Sequence, residues 1–236
     1  MGLDIYVGSL TRYYSGDWEN VVQRYAREQG VAYQVVRPGM ANEEKPDPEQ
    51  VAHLVEAWRQ ALGRIAREQL DLELDWLDES ETPYFTDKPA WDAYGALLLW
   101  AAYDENPGLE RPLRMVEDFS DDPAFRASSA PGSGTRYPSL LCNVEMWLPI
   151  EQTVVFEWID PAGRKMTFGS TGGLLRELEE LNERTWEADD EALDKARREN
   201  VDPDATLEEC AKFALGLMLG LTRDAVAHDL PMKLDY

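Results

Sequence analysis

The sequence predicts an α+β fold: a mixed, partly antiparallel sheet of five to six strands covered by four to five helices. Three observations predict it. Residues 48–68 place Val51, Leu54, Val55, Trp58, Leu62 and Ile65 on one helical stripe. Short runs rich in β-formers occur in both halves of the chain, so they can join one sheet. Between two of them, Asp160-Pro161-Ala162-Gly163 has the composition of a turn that closes an antiparallel hairpin.

Taken in order, residues 3–7 (LDIYV) form a first strand. Asp17 is placed to cap a helix over 18–29, which Gly30 ends. Residues 31–36 form a second strand, stopped by Pro38-Gly39. After the helix over 48–68, residues 71–76 (DLELDW) alternate strictly, the period of a half-buried strand. A polar stretch leads to a helix over 89–103 that is apolar nearly all round and therefore central. Residues 107–138 are dominated by Pro, Gly, Ser and charge, and read as an insertion or a boundary within a single domain spanning 1–236. Strands follow at 141–148, 152–159 and 165–168.

Gly172-Gly173 then opens an amphipathic helix carrying Leu174, Leu175, Leu178 and Leu181, and an acidic helix or coil runs on to Asn200. The last helix begins at a capping box formed by Thr206 and Glu209. Within it Gly216 and Gly220 stand four apart, which permits close approach of a neighbouring backbone.

Charge is the strongest constraint on function. The chain carries 46 acidic and 23 basic residues, a formal net charge of −23. That surface repels nucleic acid and anionic lipid and attracts basic proteins. With 44% hydrophobic residues and eight tryptophans the excess of acid is not a mark of disorder. The longest apolar run, 213–221, is about half a membrane span. No secretory signal is read at the N-terminus, and Cys142 and Cys210 read as reduced core thiols, so the expected address is the cytoplasm.

Several chemistries are excluded by what the chain lacks. Two histidines, His53 and His228, with no H-E-x-x-H or C-x-x-C, make zinc improbable. There is no G-x-S-x-G elbow for a serine nucleophile. Asp71, Glu73 and Asp75 match the opening of a calcium loop, but Trp76 stands where that loop needs glycine and Thr82 where it needs glutamate. Glu145 and Glu157 with Trp147 and Trp158 could serve a sugar, a pattern equally expected of two amphipathic strands. Tyr13-Tyr14 with Arg12 and Trp18 suits a binding surface or a core.

Two positive readings remain. Acids gather over 71–81 and again over 177–209, so Asp71, Glu73, Asp75, Glu179, Glu180, Glu183 and Glu187 are the candidate contacts for a basic macromolecular partner. An inhibitor or immunity-type protein is the concrete form of this expectation. The alternative is a small-molecule binder or enzyme whose Ser170, Thr171 and Gly172, at a strand–turn–helix over 169–173, hold an anion. A lysine required by a phosphate-binding P-loop is replaced there by Leu174. The glycine-rich run 132–136, ending in Arg136, has the composition of a flexible loop. No cofactor and no metal are implied.

Overall fold

The computed structural model describes residues 3–31, 45–198, 201–202 and 204–236. The fold is α+β. Its six-stranded sheet collects strands from both halves of the chain: β1 (Asp4–Val7), β2 (Phe85–Asp87), β3 (Met146–Leu148), β4 (Phe156–Ile159), β5 (Lys165–Ser170) and β6 (Met232–Asp235), in the order β2-β1-β6-β3-β5-β4. Only β3 and β5 run parallel; every other neighbouring pair is antiparallel. The hairpin pairs Phe156 with Phe168 and Ile159 with Lys165, and Gly163 closes its turn at φ 78°.

Helices pack on both faces. Trp147, Met232 and Leu234 point into a core built with α4 (Trp91–Glu105), α7 (Thr171–Thr185) and α9 (Leu207–Ala227). Met146, Leu148, Met166 and Phe168 point the other way, onto α1 (Leu10–Ser15) and α3 (Pro48–Leu70). The period-two alternation of the strands thus feeds two separate cores. In α4, every residue from Ala93 to Tyr103 is buried, as its all-round apolar character requires. Among the described residues, no helix is long and apolar enough to cross a membrane.

The structure also corrects local expectations. The first helical region is two helices, α1 and α2 (Val21–Glu28). Asn20, not Asp17, caps α2, because Gln23 completes a reciprocal capping box with it. Trp18 instead packs on Tyr6 and stacks on Tyr13, so the chain there is held by ring contacts. Of the strand expected over 31–36, residues 32–36 lie outside the described residues, and Val31 is in no strand. Within α3 the buried stripe is Val51, Val55, Trp58, Leu62 and Ala66, with Leu54 half-exposed.

Residues 71–76 are not a strand. Their burial does alternate, with Leu72 and Trp76 inside and Asp71, Glu73 and Asp75 outside. Yet the surface they pack on is a helix. Asp71 turns the chain at φ 54°, Leu72 N–H donates to Ala66 O, and Trp76 meets Trp58 edge-on at 6.4 Å. The segment runs back along α3, where period two is satisfied without a hydrogen-bonded ladder.

The region 107–138 holds more order than its composition suggests: a 3₁₀ turn at Phe119–Asp121 and α5 (Pro123–Ser129), capped by Asp122 through Ala124 N–H at 2.8 Å. The strand expected over 141–148 shortens to β3, since Pro138–Leu141 is the short helix α6 and Asn143 turns the chain at φ 54°. The acidic stretch after α7 contains α8 (Asp190–Arg198), which lies across α9. A Cβ on Gly216 would stand 2.7 Å from Leu193 O, so the paired glycines do admit a neighbouring backbone.

Candidate functional site

Anchoring of the 71–76 segment by Leu72 and Trp76 fixes three carboxylates outward. Asp71, Glu73 and Asp75 are all exposed. Among the described residues none of them lies within ion-pair distance of a cation. Burial, with a further push from Asp75, raises the Asp229 carboxyl above its ordinary value. Exposed Leu70 and Leu77 flank the segment. Among the described residues, no three His, Cys, Asp or Glu side chains gather as a metal would need.

The acids of α7 meet different fates. Glu180 pairs with Arg136 at 2.8 Å, and Glu179 lies 3.7 Å from Arg223, which also holds Asp190 at 2.7 Å. Their field is therefore largely answered within the molecule. Glu183 and Glu187 remain exposed, Glu187 in the left-handed region at φ 47°. Glu177, counted with the acidic surface from sequence, is buried: its carboxylate accepts from Ser139 N–H at 2.9 Å and Leu140 N–H at 3.0 Å.

The turn over 169–173 gives an anion no seat. Ser170 and Thr171 are buried, and Ser170 Oγ accepts from Gly173 N–H as the cap of α7. Gly172 N–H donates to Ile150 O, and the space where its Cβ would stand is bounded by Glu151 O at 2.6 Å and Ile150 O at 2.8 Å. Carbonyl oxygens thus crowd the helix N-terminus and would repel a negative ligand. The glycines serve packing. The sugar-binding arrangement fails as well, since Trp147 is fully buried with its Nε1–H on Ser139 O at 2.8 Å.

What sequence reading missed is a chain of three adjoining pockets that share lining residues. At one end is an acidic groove of about 650 Å³, lined by Trp91, Met115 and Phe119 with Asp92, Glu117, Asp118 and Asp121. Trp91, the first residue of α4, is 41% exposed and packs edge-on against the exposed Tyr236 at 5.6 Å. Gly95 lets the far wall seat on α4: a Cβ there would lie 2.5 Å from Met115 Cε and 2.6 Å from Phe119 Cδ1. A glycine inside an otherwise apolar helix was the available signal. Asp121 pairs with Arg126, and two bonds from Ser120 hold the Asp118 carboxyl below its usual range.

A second pocket of about 350 Å³ shares Trp91 and Phe119 with this groove and is walled by Tyr94, Leu98 and Val144. Beyond Glu145 and Tyr236, which it shares with a third cleft of about 140 Å³, lie Tyr13, Arg164, Lys233 and Asp235. The Tyr236 hydroxyl donates to Glu145 at 2.8 Å, and the Tyr13 hydroxyl to Asp235 at 2.7 Å. Asp160, fully buried behind them, accepts from the Tyr14 hydroxyl and from Arg164 Nε and Nη2, all within 3.0 Å. Tyr13 therefore does line a polar cleft, whereas Tyr14 packs on the core beneath, and Tyr6, Trp18 and Tyr84 pack behind Tyr13 and Arg12.

Comparison with protein-family models, with curated proteins and with solved structures finds no match to this chain.

Proposed function

We propose that this protein is an acidic binding protein that docks a basic protein partner, with an inhibitor or immunity-type role as its concrete form. The observation that carries the reading is the Trp91 groove. Four carboxylates line it, one of which, Asp121, is paired with Arg126; no basic residue lines it among the described residues, and its wall is an exposed tryptophan. Tryptophan anchors are over-represented among the residues that dominate binding energy, and an arginine or lysine can rest on the indole face while the carboxylates take its charge. The overall charge of −23 draws such a partner in, and Asp71, Glu73 and Asp75, unpaired among the described residues, extend the negative potential elsewhere on the surface. Two free thiols suit a cytoplasmic setting.

The test is retention of cytosolic proteins on the immobilised chain at low and high salt, in parallel with Trp91→Ala and with Asp92→Asn/Glu117→Gln. Basic proteins should be held at low salt and released at high salt. Trp91→Ala should weaken retention by about 2 kcal/mol, roughly thirtyfold. If no basic protein is held at low salt, or if the groove variants hold it as well as the parent does, the reading fails.

A further inference from the structure

Lys233 is the feature that a docking role leaves unused. It sits on β6, third in the sheet order, where alternation sends Met232 and Leu234 into one core and Lys233 to the opposite side. The residue is 4% exposed, yet it lines the 140 Å³ cleft with Tyr13, Arg164 and Asp235. Lys88 and Lys165 each hold a carboxylate at 2.8 Å. No described carboxylate lies within 4.0 Å of Lys233 Nζ. Among the described residues its Nζ makes one hydrogen bond, a 3.4 Å contact to Leu234 O, and it lies over the Tyr13 ring, 5.3 Å from the centroid.

Buried ammonium groups without a counter-ion are costly. We propose that Lys233 is the nucleophile of a small-molecule site, forming an imine with a small carbonyl compound bound in this cleft. The volume is below the roughly 300–1,000 Å³ of sites for drug-sized ligands, which restricts the ligand to a few heavy atoms. The Nζ lone pair adds to the carbonyl carbon; the two amine protons leave with the carbonyl oxygen as water, and a neutral imine remains.

The charge state suits this step. Burial, and after it the like charge of Arg164, hold the amine below its ordinary value, outweighing Asp235, Asp160 and Glu145, which act the other way. Those three carboxylates are each engaged elsewhere, by the hydroxyls of Tyr13, Tyr14 and Tyr236. A desolvated lysine beside a second cation is an established route to a nucleophilic amine at neutral pH. Arg164 adds a positive charge at the rim that suits a carbonyl compound bearing a carboxylate.

The experiment is reductive trapping of the folded protein near pH 7 with glyoxylate and cyanoborohydride, followed by peptide mapping. The exposed Lys45 and Lys195, which lie outside this cleft, serve as internal references. Lys233 should be carboxymethylated at least tenfold faster than either, a preference that vanishes in urea. Arg164→Gln should slow it, since the like charge is lost. Lys233→Arg should remove the fast site, and if that variant does not fold, the map of the parent protein decides alone. Labelling of Lys233 no faster than Lys45 and Lys195 overturns the proposal. Trapping of Lys233 is read without any partner protein present, so failure here is separable from failure of partner docking.

Discussion

Glu177 and Asp160 are two buried carboxylates with opposite circumstances. Burial raises the Glu177 carboxyl to about 7, although Ser139 and Leu140 N–H groups favour its charged form. The folded state therefore holds this proton to a higher pH than the unfolded chain, whose glutamate releases it near 4.5. In that window the native state binds more protons, so stability falls as pH rises from about 4.5 to 7. Glutamine does not titrate. Urea unfolding at pH 4.5 and pH 8 should show Glu177→Gln gaining about 1–3 kcal/mol relative to the parent between the two. Asp160, by contrast, has partners for its charge in Arg164 and the Tyr14 hydroxyl. Asp160→Ala strands those groups and should cost about 2–4 kcal/mol, read as a lower urea midpoint at unchanged slope.

At the scale of elements, α9 offers a paired test of packing against propensity. Alanine is a better helix former than glycine by about 1 kcal/mol. At Gly216 the new methyl would meet the Leu193 carbonyl of α8 at 2.7 Å, a backbone atom that cannot step aside. Gly216→Ala should therefore destabilise by about 1–3 kcal/mol. At Gly220 the neighbour is the tip of the Arg197 side chain, which can swing away. Gly220→Ala should be neutral or stabilising by up to about 1 kcal/mol. The melting temperature should thus fall for Gly216→Ala and hold or rise for Gly220→Ala. The capping box at the start of the same helix gives a third measurement, with Thr206→Ala lowering stability by about 1 kcal/mol.

Elements whose signals are local were legible: α3 from its stripe, α4 from its apolar run, the β4–β5 hairpin from its turn, and α9 from its box. The segment 71–76 misled because alternation states only that every second side chain is buried, and α3 met that demand as well as a sheet would. Helices α5 and α6 are seven and four residues long, too short for periodicity to declare itself against Pro and Ser.

For the whole molecule, a charge of −23 makes salt act in two opposite senses. Raising ionic strength from about 0.02 M to about 0.5 M shortens the screening length from roughly 20 Å to about 4 Å. Self-repulsion in the compact state then weakens, and the melting temperature should rise by several degrees. Retention of a basic partner should fall over the same range. A melting temperature that drops with added salt would show that attractive pairs, such as Arg223 with Asp190 and Arg184 with Asp104, outweigh the net repulsion.

Composition and short-range pattern by themselves determined the acidic character, the α+β class and the long helices, because periodicity, caps and turns act between residues a few positions apart. Only tertiary structure decided which acids face water unanswered, which are answered by arginines, and which lie buried. It also brought Trp91 to Tyr236 and Tyr13 to Asp235, and left Lys233 inside with no carboxylate among the described residues at ion-pair distance. Such pairings join residues more than a hundred positions apart, and a side chain's charge and neighbours are properties of where the chain folds, which no local spacing encodes.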